Sequence, residues 1–372
     1  MKKIVDFIKK EAMLTISFVL ALASLFVVKP DVQYISYIDF RVLALLFCFM
    51  VIVLGWQKTG FFNDIGFFMA GRVKSMRALI LVLVALCFFS SMVITNDIAL
   101  ITFVPFTISV LSKAQKTEYV IKTVVFETIA ANLGSMLTPM GNPQNLYLFS
   151  LSKMDASEFI LFMLPLTAVS FAMLMISVLF LKDSSFRYNK DACEEKICIL
   201  KTKEFWVYSA LFLICLGNVF RLIPYQAMFV IVGITVLFLD KKLLLKADYP
   251  LLLTFVCFFV FIGNISRIEW IKDLLKLLIS GREILISVLS SQFMSNVPSA
   301  MLLSGFTSDY KALLLGVNIG GLGTLIASMA SLISYKYYAN AYASEKGDYI
   351  KTFTLWNILF LAVLLVLCSI FK

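Results

Sequence analysis

Ala131 to Asn145, A-N-L-G-S-M-L-T-P-M-G-N-P-Q-N, sets Gly, Pro, Asn and Thr inside an otherwise apolar segment. Pro139 and Pro143 remove backbone donors, and Gly134 and Gly141 weaken a helix, so some N–H and C=O groups here lose their i to i−4 partners. Bare backbone of that kind is costly in lipid. It persists at membrane depth only where protein buries it or where it lines a polar cavity, and discontinuous helices of this kind hold substrate and coupling ion in carriers.

The composition around this stretch belongs to a membrane. Of 372 residues, 61% are hydrophobic and only 15% charged, and the mean hydropathy is +0.93. At about 20 residues per crossing, the length admits roughly ten spans with short loops. The net charge of +10 is scattered between apolar segments, the pattern of loop charges that set topology rather than of a nucleic-acid-binding face. The chain has no histidine, which removes the usual near-neutral proton carrier and the commonest metal ligand, so proton coupling would fall to carboxylates. Cys48, Cys87, Cys215, Cys257 and Cys368 lie in apolar runs as packing residues, and no disulfide framework is indicated. Cys193 and Cys198 stand in a loop, but two thiolates do not complete a structural zinc site. No transition metal and no organic cofactor is expected.

Read in order, Ala12 to Val28 suits a retained first span. The Ala21-Leu22-Ala23 triplet resembles a signal-peptide cleavage site, but the apolar run continues past it. A second span covers Arg41 to Trp56. Gly60 to Arg77 reads as an amphipathic interfacial helix. Ala78 to Ile94 and Ile98 to Leu111, separated by Thr95-Asn96-Asp97, each fall short of a comfortable crossing, which predicts a re-entrant hairpin over about 78–112. The broken span runs from Thr123 to Phe149, and Phe159 to Leu181 crosses back. Residues 182–204 form a polar linker between halves 1–181 and 205–372. Phe205 to Phe220, Gln226 to Leu239 and Tyr249 to Gly263 predict three further spans, and Arg267 to Arg282 repeats the interfacial pattern. A second hairpin is expected over 284–306, a second broken span around Asn318-Ile-Gly-Gly-Leu-Gly-Thr324, and a last crossing from Thr352 to Phe371.

The same order of interfacial helix, hairpin and broken span therefore occurs twice. Ser90 to Phe106 aligns with Ser290 to Phe306, matching the two serines, the Asn and the final Phe. Asn132 to Asn142 aligns with Asn318 to Ser328, matching Asn, Gly and Thr. Internal repeats of this kind are the usual architecture of secondary carriers. Of the 33 Lys and Arg, 23 fall on the side that holds the N-terminus: in 1–11, 57–77, 113–122, 182–204, 240–248 and 336–351. The positive-inside rule makes that side cytoplasmic. The expected fold is an all-α polytopic membrane protein of about nine transmembrane helices plus two opposed re-entrant hairpins in an inverted repeat. The N-terminus lies inside and the C-terminus outside.

The motifs that carry this pattern resemble the ion transporter superfamily, which takes in citrate-transporter-like permeases, arsenite efflux permeases, sodium/proton antiporters and sodium-coupled divalent anion symporters. T-P-M-G-N-P-Q-N at 138–145 is similar to the superfamily's T-P/L-I-G-x-P-x-N, and G-G-L-G-T occupies 320–324. The tips T-N-D at 95–97 and S-N-V at 295–297 resemble its Ser-Asn-Thr tips and depart from them at the third position. The resemblance implies a homodimer with a scaffold and a moving transport domain.

Opposed tips and two broken spans would gather Thr95, Asn96, Asn132, Ser295, Asn296 and Asn318 near the midplane. The other expected substrate-binding residues are Gly134, Thr138, Pro139, Gly141, Asn142, Asn145, Gly320, Gly321, Gly323 and Thr324. Amide and hydroxyl oxygens with free carbonyls suit a hard cation such as sodium, and half-helix N-termini offer N–H groups to an anion. Polar residues can also serve only to glue helices together, but paired Asn residues beside breaks in both halves favour a site. Ion coupling is expected at Asn96, Asp97 and Asn296, because an ionisable group in apolar surroundings is functional by default. Glu127 is expected either to function or to pair with Lys122 or Lys113. The pattern predicts a secondary carrier moving a small anion, a carboxylate or inorganic oxyanion, coupled to sodium or protons. A sodium/proton antiporter, an arsenite permease or a channel is the alternative. The chain lacks a G-x-x-x-x-G-K-[ST] loop, H-E-x-x-H and G-x-S-x-G, which disfavours a primary pump and a membrane-embedded enzyme.

Overall fold

A computed structural model describes residues 11–186 and 202–370. The two thiols Cys193 and Cys198 and most of the predicted linker lie outside the described residues, as do the first ten residues. Those described form helices joined by short loops: α1 (Ala12–Val27), α2 (Gln33–Tyr37), α3 (Phe40–Lys58), α4 (Phe61–Ala70), α5 (Met76–Ile94), α6 (Asn96–Lys113), α7 (Val120–Gly134), α8 (Pro143–Ser152) and α9 (Ala156–Leu179) in the first half. The second half contributes α10 (Lys203–Val219), α11 (Tyr225–Lys246), α12 (Tyr249–Ile265), α13 (Glu269–Ile279), α14 (Glu283–Met294), α15 (Asn296–Ser304), α16 (Tyr310–Ile319), α17 (Met329–Ala341) and α18 (Lys346–Ile370). No strand occurs among the described residues, only an isolated bridge between Ser75 and Ser185.

Among the described residues five stretches are long and apolar enough to cross a membrane: Phe40–Lys58, Met76–Ile94, Thr117–Leu137, Ala156–Leu179 and Ala343–Ser369. Two of them start at a side-chain cap. Asp39 accepts from the Val42 N–H and Ser75 from the Ala78 N–H, satisfying amides that a helix start leaves open, typically for about 1 kcal/mol each. α12 and α13 bend by 105° at their break, and the exposed Trp270, Leu274, Leu277 and Leu278 on α13 fit a helix that turns to lie along an apolar surface.

Several expectations change in detail. Capping by Ser75 draws Met76 and Arg77 into α5, which reaches 19 residues and spans roughly 28 Å at 1.5 Å per residue. That arm is long enough to cross, where the apolar run alone suggested one that is not. Of the interfacial helix expected over 60–77, α4 covers Phe61–Ala70, and the last two residues belong to α5. The span expected to end at Leu239 continues to Lys246 across a break at Asp240, whose carboxylate holds Lys58 at 2.6 Å.

Contacts among the loops sort them into two groups. Lys58 joins Asp240, Ser112 joins Tyr342, the Tyr119 hydroxyl donates to the Lys182 carbonyl, and Arg77 donates to the Leu181 carbonyl. The opposite group joins Asp31 to Arg267, Asp155 to Arg221, Glu158 to Lys311, and Asp39 to Ser150. The first group gathers the described basic segments at 57–77, 113–122, 182–186, 240–248 and 336–351. Between the two groups lies one continuous apolar core.

Candidate functional site

The broken span ends its first helix, α7, at Gly134. A Cβ there would lie 2.1 Å from the Phe88 carbonyl oxygen, so only glycine lets α7 approach α5 this closely. After the turn at 135–137 the chain is extended at Thr138 and Asn142, and α8 starts at Pro143. Proline suits a first helical position because its missing N–H has no partner there in any case. Asn142 caps α8 by accepting from the Asn145 N–H at 2.8 Å. The carbonyls freed by the break are not bare: the Asn145 amide donates to those of Ser135, Met136 and Thr138 at 3.2, 3.2 and 3.1 Å.

The second break, between α16 and α17, is held by a residue from elsewhere. The Gln292 amide, on α14, donates to the carbonyls of Gly320 and Leu322 at 3.0 and 2.9 Å and accepts from the Thr324 N–H at 2.9 Å. Gln292 was not among the expected site residues. Its signal was available, since it is an amide one turn before the Ser295 tip in an apolar arm, but nothing in the sequence tied it to the break.

Both hairpin tips dock on these breaks in the same manner. Thr95 has φ 74° and ψ 151°, and Ser295 has φ 73° and ψ 157°. This region is close to glycine-only and costs on the order of 1–3 kcal/mol per residue, so the surroundings must enforce it. The enforcing contacts are visible. The Asn96 N–H, first of α6, donates to the Gly141 carbonyl at 3.1 Å, and the Asn296 N–H, first of α15, donates to the Ala327 carbonyl at 3.0 Å. Gly141 and Ala327 occupy matched positions in the alignment of 132–142 with 318–328. The Thr138 hydroxyl donates to the Met92 carbonyl, and the matched Thr324 hydroxyl to the Gln292 carbonyl.

Side chains then join the two halves directly. Asn142 donates to Asn318 Oδ1 at 3.1 Å, and Asn318 donates to Asn145 Oδ1 at 2.7 Å. In the other direction Ser328 donates to Asn132 Oδ1 at 2.9 Å, which also accepts from Asn96 at 3.1 Å. Asn132 donates onward to Ser331. Asn96, Asn132, Asn142, Asn145, Asn296 and Asn318 are all buried. The N-termini of α6, α8, α15 and α17 therefore converge on one buried centre of amides and hydroxyls, where partial positive charge from helix ends accumulates.

The tips are not equivalent. Asn96 reaches Asn132, whereas the Asn296 side chain meets the Ser295 hydroxyl at 3.4 Å and packs against Gly321. Asp97 has Val297 as its counterpart and is half-buried. Gly134, Gly141, Gly320 and Gly323 serve close packing: added Cβ atoms would meet Phe88, Ser135, Gly316 and Gln292 respectively. Pro139 is buried and Thr324 exposed. Glu127 does not pair with a lysine: Lys113 and Lys122 are exposed while Glu127 is fully buried, and its Oε1 accepts from the Thr107 hydroxyl at 2.5 Å.

Comparison with known proteins places the chain. Residues 7–309 match the family model described as CitMHS, citrate transporter. The chain is 32% identical over 303 residues to an uncharacterized transporter of Methanocaldococcus jannaschii, covering 80% of this chain and 81% of that one. It is 28% identical over 304 residues to the inner membrane protein YbiR of Escherichia coli, covering 80% of each. A shorter stretch of 160 residues is 32% identical to the silicon efflux transporter LSI3 of Oryza sativa subsp. japonica, covering 42% of this chain and 32% of that protein. With four-fifths of its length matched by the family model and relatives that are transporters, the chain belongs to the CitMHS citrate transporter family.

Proposed function

We propose that this multi-pass membrane protein is a secondary carrier that moves a small anion, a carboxylate or inorganic oxyanion, coupled to sodium or protons. One observation carries the reading: two broken spans and two hairpin tips meet in a single buried polar centre, joined by Asn142 to Asn318 and Ser328 to Asn132. An amide network this elaborate exceeds what helix glue requires, and four helix N-termini aimed at one point favour an anion. The matched tip conformations and matched carbonyl acceptors support an inverted repeat built on two opposed helical hairpins. The clustering of basic loops on one side supports a cytoplasmic N-terminus and an external C-terminus. Sodium fits best at the first tip, where Asp97 adds a carboxylate to the Thr95 hydroxyl and the Asn96 amide oxygen. A homodimer is the expected assembly.

A second reading has its own support. Among the described residues no Lys or Arg is buried, so an anion here would lack a cationic clamp. An undissociated hydroxyl-rich acid would instead be met by paired donors and acceptors of Asn and Ser. The relation to a silicon efflux transporter is in keeping with that. Flux into proteoliposomes, with citrate, succinate, sulfate, arsenite, silicic acid and chloride under separate sodium and proton gradients, tests both. Saturable, gradient-driven uptake of one carboxylate or oxyanion is expected. Uptake of silicic acid alone selects the second reading, and unsaturable chloride conductance overturns both.

A further inference from the structure

Five residues before Asn132, and so roughly 7.5 Å along α7 from the amide centre, Glu127 is buried with no exposed area. Its Oε1 accepts from Thr107 on α6. Its Oε2 has no hydrogen-bond partner among the described residues. The ionisable groups around it come from the helices packed on α7. α5 contributes the buried thiol of Cys87, and α18 contributes Tyr349. α17 contributes Tyr335 and Tyr338, whose rings pack against that of Tyr349. α6 carries Asp97 at its far start and Lys113 at its exposed end, α9 carries only Glu158, in its first turn, and α16 carries Tyr310 and Lys311 at its start. Lys122 on α7, Lys336 on α17, and Lys346 and Lys351 on α18 are exposed like Lys113 and Lys311, and among the described residues no cation faces the carboxyl. An ionised carboxylate with one oxygen unmatched in such surroundings is costly, and a proton on Oε2 would relieve that cost.

We propose that Glu127 is a proton-binding site of this protein, separate from the amide centre, which takes up a proton on Oε2 and releases it as the solute crosses. Only an O–H bond forms and breaks, with water on either side as donor and acceptor. Thr107 ties the site to the first hairpin: movement of α6 against α7 would break the bond to Oε1, admit water and allow the proton to leave. The coupling part rests on the carrier reading. Proton binding itself does not.

The test has two arms. Infrared difference spectra of the full-length protein in lipid, recorded on pH steps with no solute, should show the carbonyl stretch of a carboxylic acid that titrates and shifts in D2O. That band should be lost in Glu127→Gln, kept in Asp97→Asn and moved in Thr107→Val. A titrating band that survives in Glu127→Gln, or a Glu127 band that never responds to pH, overturns the proposal. If Glu127→Gln does not fold, an unmoved band in Thr107→Val overturns it. In the second arm, the solute found to be carried among citrate, succinate, sulfate, arsenite and silicic acid is followed in Glu127→Gln. Exchange of labelled for unlabelled solute should persist while proton-driven accumulation is lost, and undiminished accumulation contradicts the proposal. If no solute is carried, the carrier reading fails and the infrared arm alone decides whether Glu127 binds a proton.

Discussion

Asn145 holds the first break together, and its replacement measures what that is worth. Two amide hydrogens are spread over three carbonyls at 3.1 to 3.2 Å, and Oδ1 accepts from Asn318 at 2.7 Å. Asn145→Ala removes two donors and one acceptor, the equivalent of three hydrogen bonds, and strands carbonyls that water does not reach. At the membrane-protein average of ~0.6 kcal/mol per bond the loss is about 2 kcal/mol, and at the largest measured values, ~1.7 each, about 5 kcal/mol. Asn145→Asp should cost more at neutral pH, because it aims a carboxylate at three carbonyl oxygens. The control is Asn357→Ala, since Asn357 is as buried but donates only to Phe353 within its own helix. Reversible unfolding in mixed micelles of rising dodecyl sulfate content, followed by circular dichroism, gives the three free energies. An Asn145→Ala cost no larger than that of Asn357→Ala would refute the capping account.

Gly134→Ala should destabilise by about 1–3 kcal/mol or prevent folding, as overpacking does, because its Cβ would meet the Phe88 backbone oxygen at 2.1 Å. Gly233→Ala, in α11 with nothing within 4 Å, should instead stabilise by roughly 0.5–1 kcal/mol, and equal effects in the same assay would sink the contrast. Asp97→Asn should leave expression and melting temperature near those of the parent while altering the sodium or pH dependence of flux, and unchanged dependence on both returns Asp97 to a structural role. In the loop after α9, the backbone N–H of Arg77 and then that of Ser184 hold the Asp183 carboxyl below the usual carboxylate range. A lowered folded-state value means that its contribution is complete above the unfolded value of about 3.9 and is lost as pH falls through the folded one. Proteolytic nicking near Asp183 should therefore be flat between about pH 5 and 8 and rise only in stronger acid, and Asp183→Asn should remove the acid-induced step.

The position of the break was legible because Pro139, Gly141 and Pro143 fall within five residues, whereas α6 and α9 each continue through a single proline, Pro105 and Pro165. The alignment of 132–142 with 318–328 also paired Gly141 with Ala327, and both of these carbonyls accept a tip N–H. Their side chains differ, but a backbone acceptor does not depend on the side chain, so low identity concealed a shared geometry. Other features had no local signature. Gln292 caps a break some thirty residues away, a relation set by how α14 packs on α16. Glu127 finds Thr107 across a helix interface, whereas sequence proximity pointed to Lys122. The length of α5 was hidden because Met76 and Arg77 read as the end of the interfacial helix until Ser75 is seen capping α5 and the Arg77 guanidinium donating to the Leu181 carbonyl.

In the proposed carrier the two hairpin tips serve one centre from opposite sides of the membrane. Ile98→Cys and Val297→Cys, both half-buried beside their tips, in a background without the native cysteines, report it through a membrane-impermeant thiol reagent applied to oriented vesicles. Labelling of Ile98→Cys from the cytoplasmic face and of Val297→Cys from the outer face, each slowed by the transported solute, is the expected result. Labelling of both positions from one face only, in every solute and cation condition, would contradict the account.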